Sequence, residues 1–190
     1  MTARIRPTRP RLTPLEPAEL DEETRQIVPP GSLNIFRTLA RHPKLLKRWL
    51  VFGNHVLAKS TLPERERELV ILRVGWRCGS EYEFGQHTVI GRRAGITDEE
   101  VAWLAADLDE GRWGEDDLLL LVAVDELHDD QCITQQTWDA LAQRWSEQQL
   151  LDLVFTVGQY TLVSMALNSL GVQRDEGVPG FPPDQAPITR

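Results

Sequence analysis

Residues 63–74 constrain the fold of this chain more than any other stretch. Pro63 suits the first turn of a helix, where its missing N–H leaves nothing unsatisfied. Glu64, Glu66 and Glu68 suit the positive end of the helix dipole. The charged turn then runs into Leu69-Val70-Ile71-Leu72-Arg73-Val74, which is apolar nearly all round. By periodicity alone such a run fits a buried strand as well as a helix. The run continues a charged helical turn and no second strand is available to pair with it, so the sequence predicts a helix.

Helix signals dominate elsewhere, with no Asn-Gly hairpin signal and no internal repeat. Helices are expected from Pro17 to about Val28, from Asn34 (read as a cap) through Arg41, and from Pro43 to Lys59. In the third, Leu46, Leu50 and Phe52 alternate with Lys44, Lys47 and Arg48 as an amphipathic stripe. The chain breaks at Cys78-Gly79 and resumes at Ser80, read as an N-cap forming a capping box with Glu83. Gly95 ends that helix, and Thr97 with Glu100 forms a second box opening a short helix through Asp107. Further helices are expected over residues 115–128 and 134–145, and from Ser146 to Asn168, closed by Gly171. About eight or nine helices joined by short loops make an all-α, bundle-like fold. It spans residues 17–172, between an extended N-terminal arm (1–16) and a loose Pro-rich C-terminal tail (173–190).

Composition bears mainly on partners. A net charge of −8 repels phosphate backbones and anionic lipid, so neither nucleic acid nor a membrane surface is an expected partner. No stretch is long and apolar enough to read as a simple transmembrane helix, and the first residues carry no apolar signal region. Cys78 and Cys132 make no disulfide framework, so a cytoplasmic location is the expectation.

Candidate chemistry centres on residues 68–87. Glu83 and His87 are four residues apart and share one helix face. A carboxylate beside an imidazole raises its pKa and orients its ring, which suits a general base or proton relay near neutral pH. A surface ion pair among Glu81, Arg92 and Arg93 is the competing reading. His42, before Pro43, and His128, in the acidic end of residues 125–130, read as bland. The tryptophans read as core or subunit contacts, except Trp76, which the turn at Gly79 would bring near Tyr82 and His87. Tyr160 and Asn168, polar groups in the apolar last helix, need buried partners and fit the wall of the same cavity.

The stretch Glu68-Leu-Val-Ile-Leu-Arg-Val-Gly-Trp-Arg-Cys-Gly-Ser80-Glu-Tyr82-Glu83-Phe-Gly-Gln-His87, followed by Gly95-Ile-Thr-Asp-Glu-Glu100, resembles the carboxymuconolactone decarboxylase family, which includes the alkylhydroperoxidase D-like proteins. The likeness is most specific over residues 62–105 and implies an alkylhydroperoxidase D-like helical bundle. In the redox branch a glutamate precedes a Cys-x-x-Cys, and a histidine follows it. Glu68 and His87 fall on that glutamate and histidine, while Ser80 and Glu83 stand at the two cysteine positions with Tyr82 between them. Dithiol peroxidase chemistry needs a low-pKa thiolate and a resolving cysteine, and neither Ser80 nor Glu83 supplies one.

The decarboxylase branch also lacks the cysteine pair while keeping a histidine in the matching helix. The resemblance therefore implies an acid–base decarboxylase or lyase acting on a small carboxylated or lactone substrate. In it His87 moves a proton while Glu68 or Glu83 orients it. Tyr82, Ser80, Trp76 and His55 are the expected substrate contacts, and Arg73 or Arg77 would suit a substrate carboxylate. No cofactor is expected; the alternative is a divalent metal on His87, Glu83, Glu68 and His55. Two other readings stay open. One is a peroxidase-like oxidoreductase using Cys78 with an external thiol, although a buried structural cysteine also fits Cys78. The other is a non-catalytic, ligand-binding relative. The resemblance further implies a homo-oligomer (dimer, trimer or hexamer), with the Pro-rich arms wrapping a neighbour.

Overall fold

In the computed structural model, which describes residues 6–183, the chain forms nine helices and, among the described residues, no strand. They are α1 (Glu22–Ile27), α2 (Asn34–Leu39), α3 (Pro43–Ala58), α4 (Glu64–Arg77), α5 (Glu81–Arg93), α6 (Asp98–Leu104), α7 (Glu115–Asp130), α8 (Gln135–Ala142) and α9 (Glu147–Leu170). The expected first helix is split into a 3₁₀ turn, Pro17–Glu19, and α1, because Asp21 caps α1 by accepting from the Thr24 N–H at 2.7 Å. The capping box at Thr97 forms, Ser146 and Gln149 form another at the start of α9, and Gly171 closes α9 in the left-handed conformation.

The ambiguous apolar run is helical, and every residue from Arg67 to Arg77 is buried. α4 is the axis of the bundle, with α5, α6, α7 and α9 packed around it. Leu69, Leu72 and Trp76 pack with Phe84, Val101 and Leu104 on one side. Val70, Ile71 and Val74 pack with Leu120, Leu153 and Val157 on the other. Each such aliphatic side chain contributes about 1.5–3 kcal/mol by leaving water.

Arg73, the charge inside this run, is also buried. Its guanidinium forks onto both carboxylate oxygens of Asp125 at 2.8 and 2.6 Å and donates to the Leu104 and Ala106 carbonyls. A buried charge requires this degree of pairing. Arg77 reaches Asp129 at 2.5 Å, so both arginines tie α4 to α7.

Gly79, at φ +59°, ends α4 in a Schellman motif. The Ser80 N–H donates to the Gly75 carbonyl at 2.8 Å, and the Gly79 N–H to Trp76 at 2.9 Å. The turn sends α5 back along α4. At Gly75 a Cβ would lie 3.2 Å from the Phe84 nitrogen, so glycine lets the two helices close tightly.

The described parts of both arms lie on the bundle of their own chain. Arg6 donates to the carbonyls of Cys78 and Gly79, and the Arg11 N–H donates to Leu170. The tail is not loose. Phe181 packs edge-on to Trp76 with centroids 5.1 Å apart, and the Pro179 carbonyl lies where a Cβ on Gly85 would stand. Residues 1–5 and 184–190 lie outside the described residues. α9 is long and apolar enough to cross a membrane by length and composition, yet half of that window is buried inside the bundle.

Candidate active site: a histidine held between two carboxylates

The α4–α5 hairpin sets Glu68 opposite His87. His87 Nδ1 lies 2.6 Å from Glu68 Oε2, and its Nε2 lies 3.1 Å from Glu83 Oε1, one turn back on α5. All three side chains are buried. Behind them, Arg67 donates through Nε and Nη2 to the other oxygen of Glu68 at 3.3 and 3.2 Å.

This geometry overturns the capping box expected at Ser80. Ser80 does occupy the N-cap, but its side chain makes no cap hydrogen bond, and its buried hydroxyl has no partner among the described residues. Glu83 points to His87 instead. The Ser80 N–H that Glu83 would have capped already donates to the Gly75 carbonyl, which leaves the carboxylate free for the charge-assisted bond to His87.

Burial by itself would push the His87 pKa down. The charge and hydrogen bond of Glu68, joined by those of Glu83, outweigh it and hold the imidazole up at about 9. At neutral pH the ring therefore carries both protons and donates through both nitrogens. The expectation of a histidine base near neutral pH is corrected: the ring is an imidazolium, and Glu83 is the acceptor that faces the cavity.

That cavity, about 120 Å³, opens on the pair between α2, α3, α5 and α9, with Glu83, His87, Gln159 and Tyr160 among its lining. Its remaining wall is mainly apolar, including Phe36, Trp49, Leu50 and Ile90. The Tyr160 ring stands edge-on to His87 at a centroid distance of 4.9 Å. Burial first, then the charges of Glu83 and Glu68, push the Tyr160 hydroxyl well above its ordinary pKa, so it stays protonated. Tyr82 also lines the cavity, but its hydroxyl is committed elsewhere. It donates to Asp175 Oδ2 at 2.6 Å and accepts from the Ile35 N–H at 3.2 Å. Burial chiefly, with Asp175 adding to it, raises the Tyr82 pKa.

The structure brings Glu68, Glu83, His87 and Tyr82 together and leaves the other predicted contacts outside. His55 is exposed on α3, with Nε2 3.8 Å from Asp152. Trp76 is buried against Phe84 and Phe181 rather than in the cavity, and Ser80 is behind the turn. Asn168 donates to the Cys78 carbonyl at 3.1 Å, away from the cavity wall that Tyr160 helps to form. Arg73 and Arg77 face α7, so neither meets a ligand in the cavity. The four residues considered as metal ligands do not converge, since His55 stands apart and both His87 nitrogens face carboxylates. Among the described residues no three His, Cys, Asp or Glu side chains are grouped to hold a metal. Cys78 caps α4 with Sγ 3.9 Å from His128 Nδ1, and neither it nor Cys132 lines the cavity.

Sequence reasoning missed Gln159, Arg67 and Asp175. Gln159 carried the same signal as its neighbour Tyr160, a polar group in an apolar helix. Asp175 carried none. Its carboxylate accepts from the Asn34 N–H at 2.9 Å, from Gln86 at 2.7 Å and from Tyr82, and only the path of the tail puts it there.

This helical architecture is that of the alkylhydroperoxidase D-like proteins. An uncharacterised peroxidase-related protein with an alkylhydroperoxidase AhpD core from Ralstonia eutropha JMP134 superposes with a TM-score of 0.77 at 16% identity, over 87% of this chain and 93% of that one. A peroxidase-related protein from Silicibacter sp. TM1040 gives 0.77 at 14% identity, over 95% and 100%. The debrominase Bmp8, in complex with 2,3,4-tribromopyrrole, gives 0.72 at 14% identity, over 87% and 91%. Residues 43–111 match the model of the carboxymuconolactone decarboxylase family. No curated protein matches it by sequence.

Proposed function

We propose that the protein is a cofactor-free acid–base enzyme, lyase-like, that moves a proton beside the carbonyl of a small carboxylated or lactone substrate. The observation that carries this reading is the buried line Glu68–His87–Glu83, which opens on the cavity through Glu83. Glu83 takes the proton from the carbon next to the carbonyl, and the electron pair left behind becomes an enolate. The protonated Tyr160 hydroxyl donates toward the enolate oxygen. His87 positions Glu83, and Glu68 on the far side of the ring balances the charge of the imidazolium. The proton on Glu83 then returns to the substrate. It goes to the neighbouring carbon, or to an oxygen leaving from the β position as the C–O bond breaks.

The match of residues 43–111 to the carboxymuconolactone decarboxylase family supports an enzymatic role, as does a debrominase among proteins of the same fold. A peroxidase reading through Cys78 has less support, because that thiol does not line the cavity. In this reading the partner is a small molecule met in the cytoplasm.

The test is deuterium exchange at the α-carbons of cyclohexanone in D₂O, followed by NMR. The wild-type protein should accelerate exchange, and Glu83→Gln should remove about 10²–10⁴-fold of that acceleration. Exchange no faster than in buffer overturns the reading.

A further inference from the structure

We infer that the cavity selects an uncharged ring carbonyl compound, a lactone or cyclic ketone, over any carboxylate, and that Gln159 and Tyr160 hold its carbonyl oxygen. The inference narrows the substrate of the acid–base reading to its uncharged alternative and rests on that reading for the reaction, though not for binding.

Gln159 and Tyr160 are adjacent on α9 and only 5% and 6% exposed. Both line the cavity, and the Gln159 amide and Tyr160 hydroxyl make no hydrogen bond to any described residue. Neither group is spent on another side chain, so an amide N–H and a phenol O–H that reach the same space can both donate to a single acceptor there. A Cβ on Gly53 would lie 3.4 Å from Gln159 Nε2, so glycine there keeps room beside the amide.

The charges around the cavity argue against an anion. None of the residues lining it is Lys or Arg. His87, the cation that lines it, has both nitrogens on carboxylates, and Arg67 sits on Glu68. Glu83 itself faces the space, and Asp175 stands behind Tyr82 and Gln86. A carboxylate entering would lose its water, meet negative charge and find no free cation. A carbonyl oxygen needs only the two donors already present. The volume, about 120 Å³, limits the ligand to a single small ring, since an apolar cavity of about 150 Å³ is occupied by one benzene.

The test uses a matched pair, cyclohexanone and cyclohexanecarboxylate, titrated into the full chain at pH 7 and followed by ligand-observed NMR. Cyclohexanone should bind at least about tenfold more tightly than the carboxylate. Gln159→Leu should weaken cyclohexanone about fivefold or more, and Tyr160→Phe, which keeps the ring and so the fold, about threefold. Thermal unfolding of each variant separates a lost contact from a lost fold. Equal or tighter binding of the carboxylate, no binding of cyclohexanone, or wild-type affinity in folded forms of both variants overturns the inference. Selective binding without deuterium exchange would sink the acid–base reading alone, whereas exchange without selectivity would sink this inference alone.

Discussion

Glu68 and His87, nineteen residues apart in the chain, meet through a 2.6 Å contact between Oε2 and Nδ1. That contact leaves Nε2 to Glu83 at 3.1 Å, so the ring is fixed at both ends. The consequence is a proton stored in the folded state. His87 titrates at about 9 when folded, against 6.5 for an ordinary histidine. Between those values the folded chain holds a proton that the unfolded chain has released. The stabilisation is therefore complete below about pH 6.5 and is lost as pH rises through about 9. It is on the order of 3 kcal/mol. The thermal midpoint should fall between pH 6.5 and 9.5, and His87→Gln should flatten that slope. An unchanged slope in the variant would show that another group titrates.

Removing Glu68 should move the same proton. Glu68→Gln takes away the largest favourable influence on the imidazolium, so the His87 pKa should drop by about 1–3 units. Imidazole NMR shifts across pH 5–10 measure it directly. A pKa that stays at about 9 would mean that Glu83 alone holds the charge.

The tail is held by shape at Gly85. A methyl there would collide with the Pro179 carbonyl and stand 2.9 Å from Val178 Cγ1. Gly85→Ala should cost about 1–3 kcal/mol and expose the tail to proteolysis. The reading fails if the variant matches the wild type in both thermal midpoint and cleavage rate.

Asp175 fastens that tail to the cavity wall. Asp175→Ala leaves the buried Tyr82 hydroxyl without its acceptor and the Asn34 N–H without its cap. A loss of about 2 kcal/mol is expected by chemical denaturation. A loss below about 0.5 kcal/mol would show that water replaces the carboxylate at little cost.

We propose that the homo-oligomer implied by the resemblance pairs through α9. Leu151, Phe155, Leu162 and Met165 are more than half exposed, with Gly158 open between them. They recur alternately four and three residues apart, the spacing of a helix-pairing seam. Light scattering after size-exclusion chromatography should give a multiple of 21.6 kDa, and Phe155→Glu with Leu162→Glu should return it to that value. A wild-type protein that already runs at the monomer mass removes the prediction.

Much of the fold was legible because its signals are local. The caps at Thr97 and Ser146, the stop at Gly171 and the charged turn entering Leu69 act over three or four residues, the reach of a helical hydrogen bond. The pairing of Glu68 with His87 was legible through a resemblance, and the i,i+4 pairing of Glu83 through helix geometry. The tertiary structure decided what those residues are. It made His87 an imidazolium rather than a base, because a pKa depends on which charges surround a group once water is gone. It took Glu83 from a cap to the cavity and left His55 on the surface. It placed Gln159 beside Tyr160 facing open space, and laid the tail so that Asp175 braces Tyr82. Each of these rests on burial and on partners distant in sequence, which no spacing along a single helix records. The sequence by itself determined which segments are helices and which two residues to watch; the packing of α4 against α5 and α9 determined their chemistry.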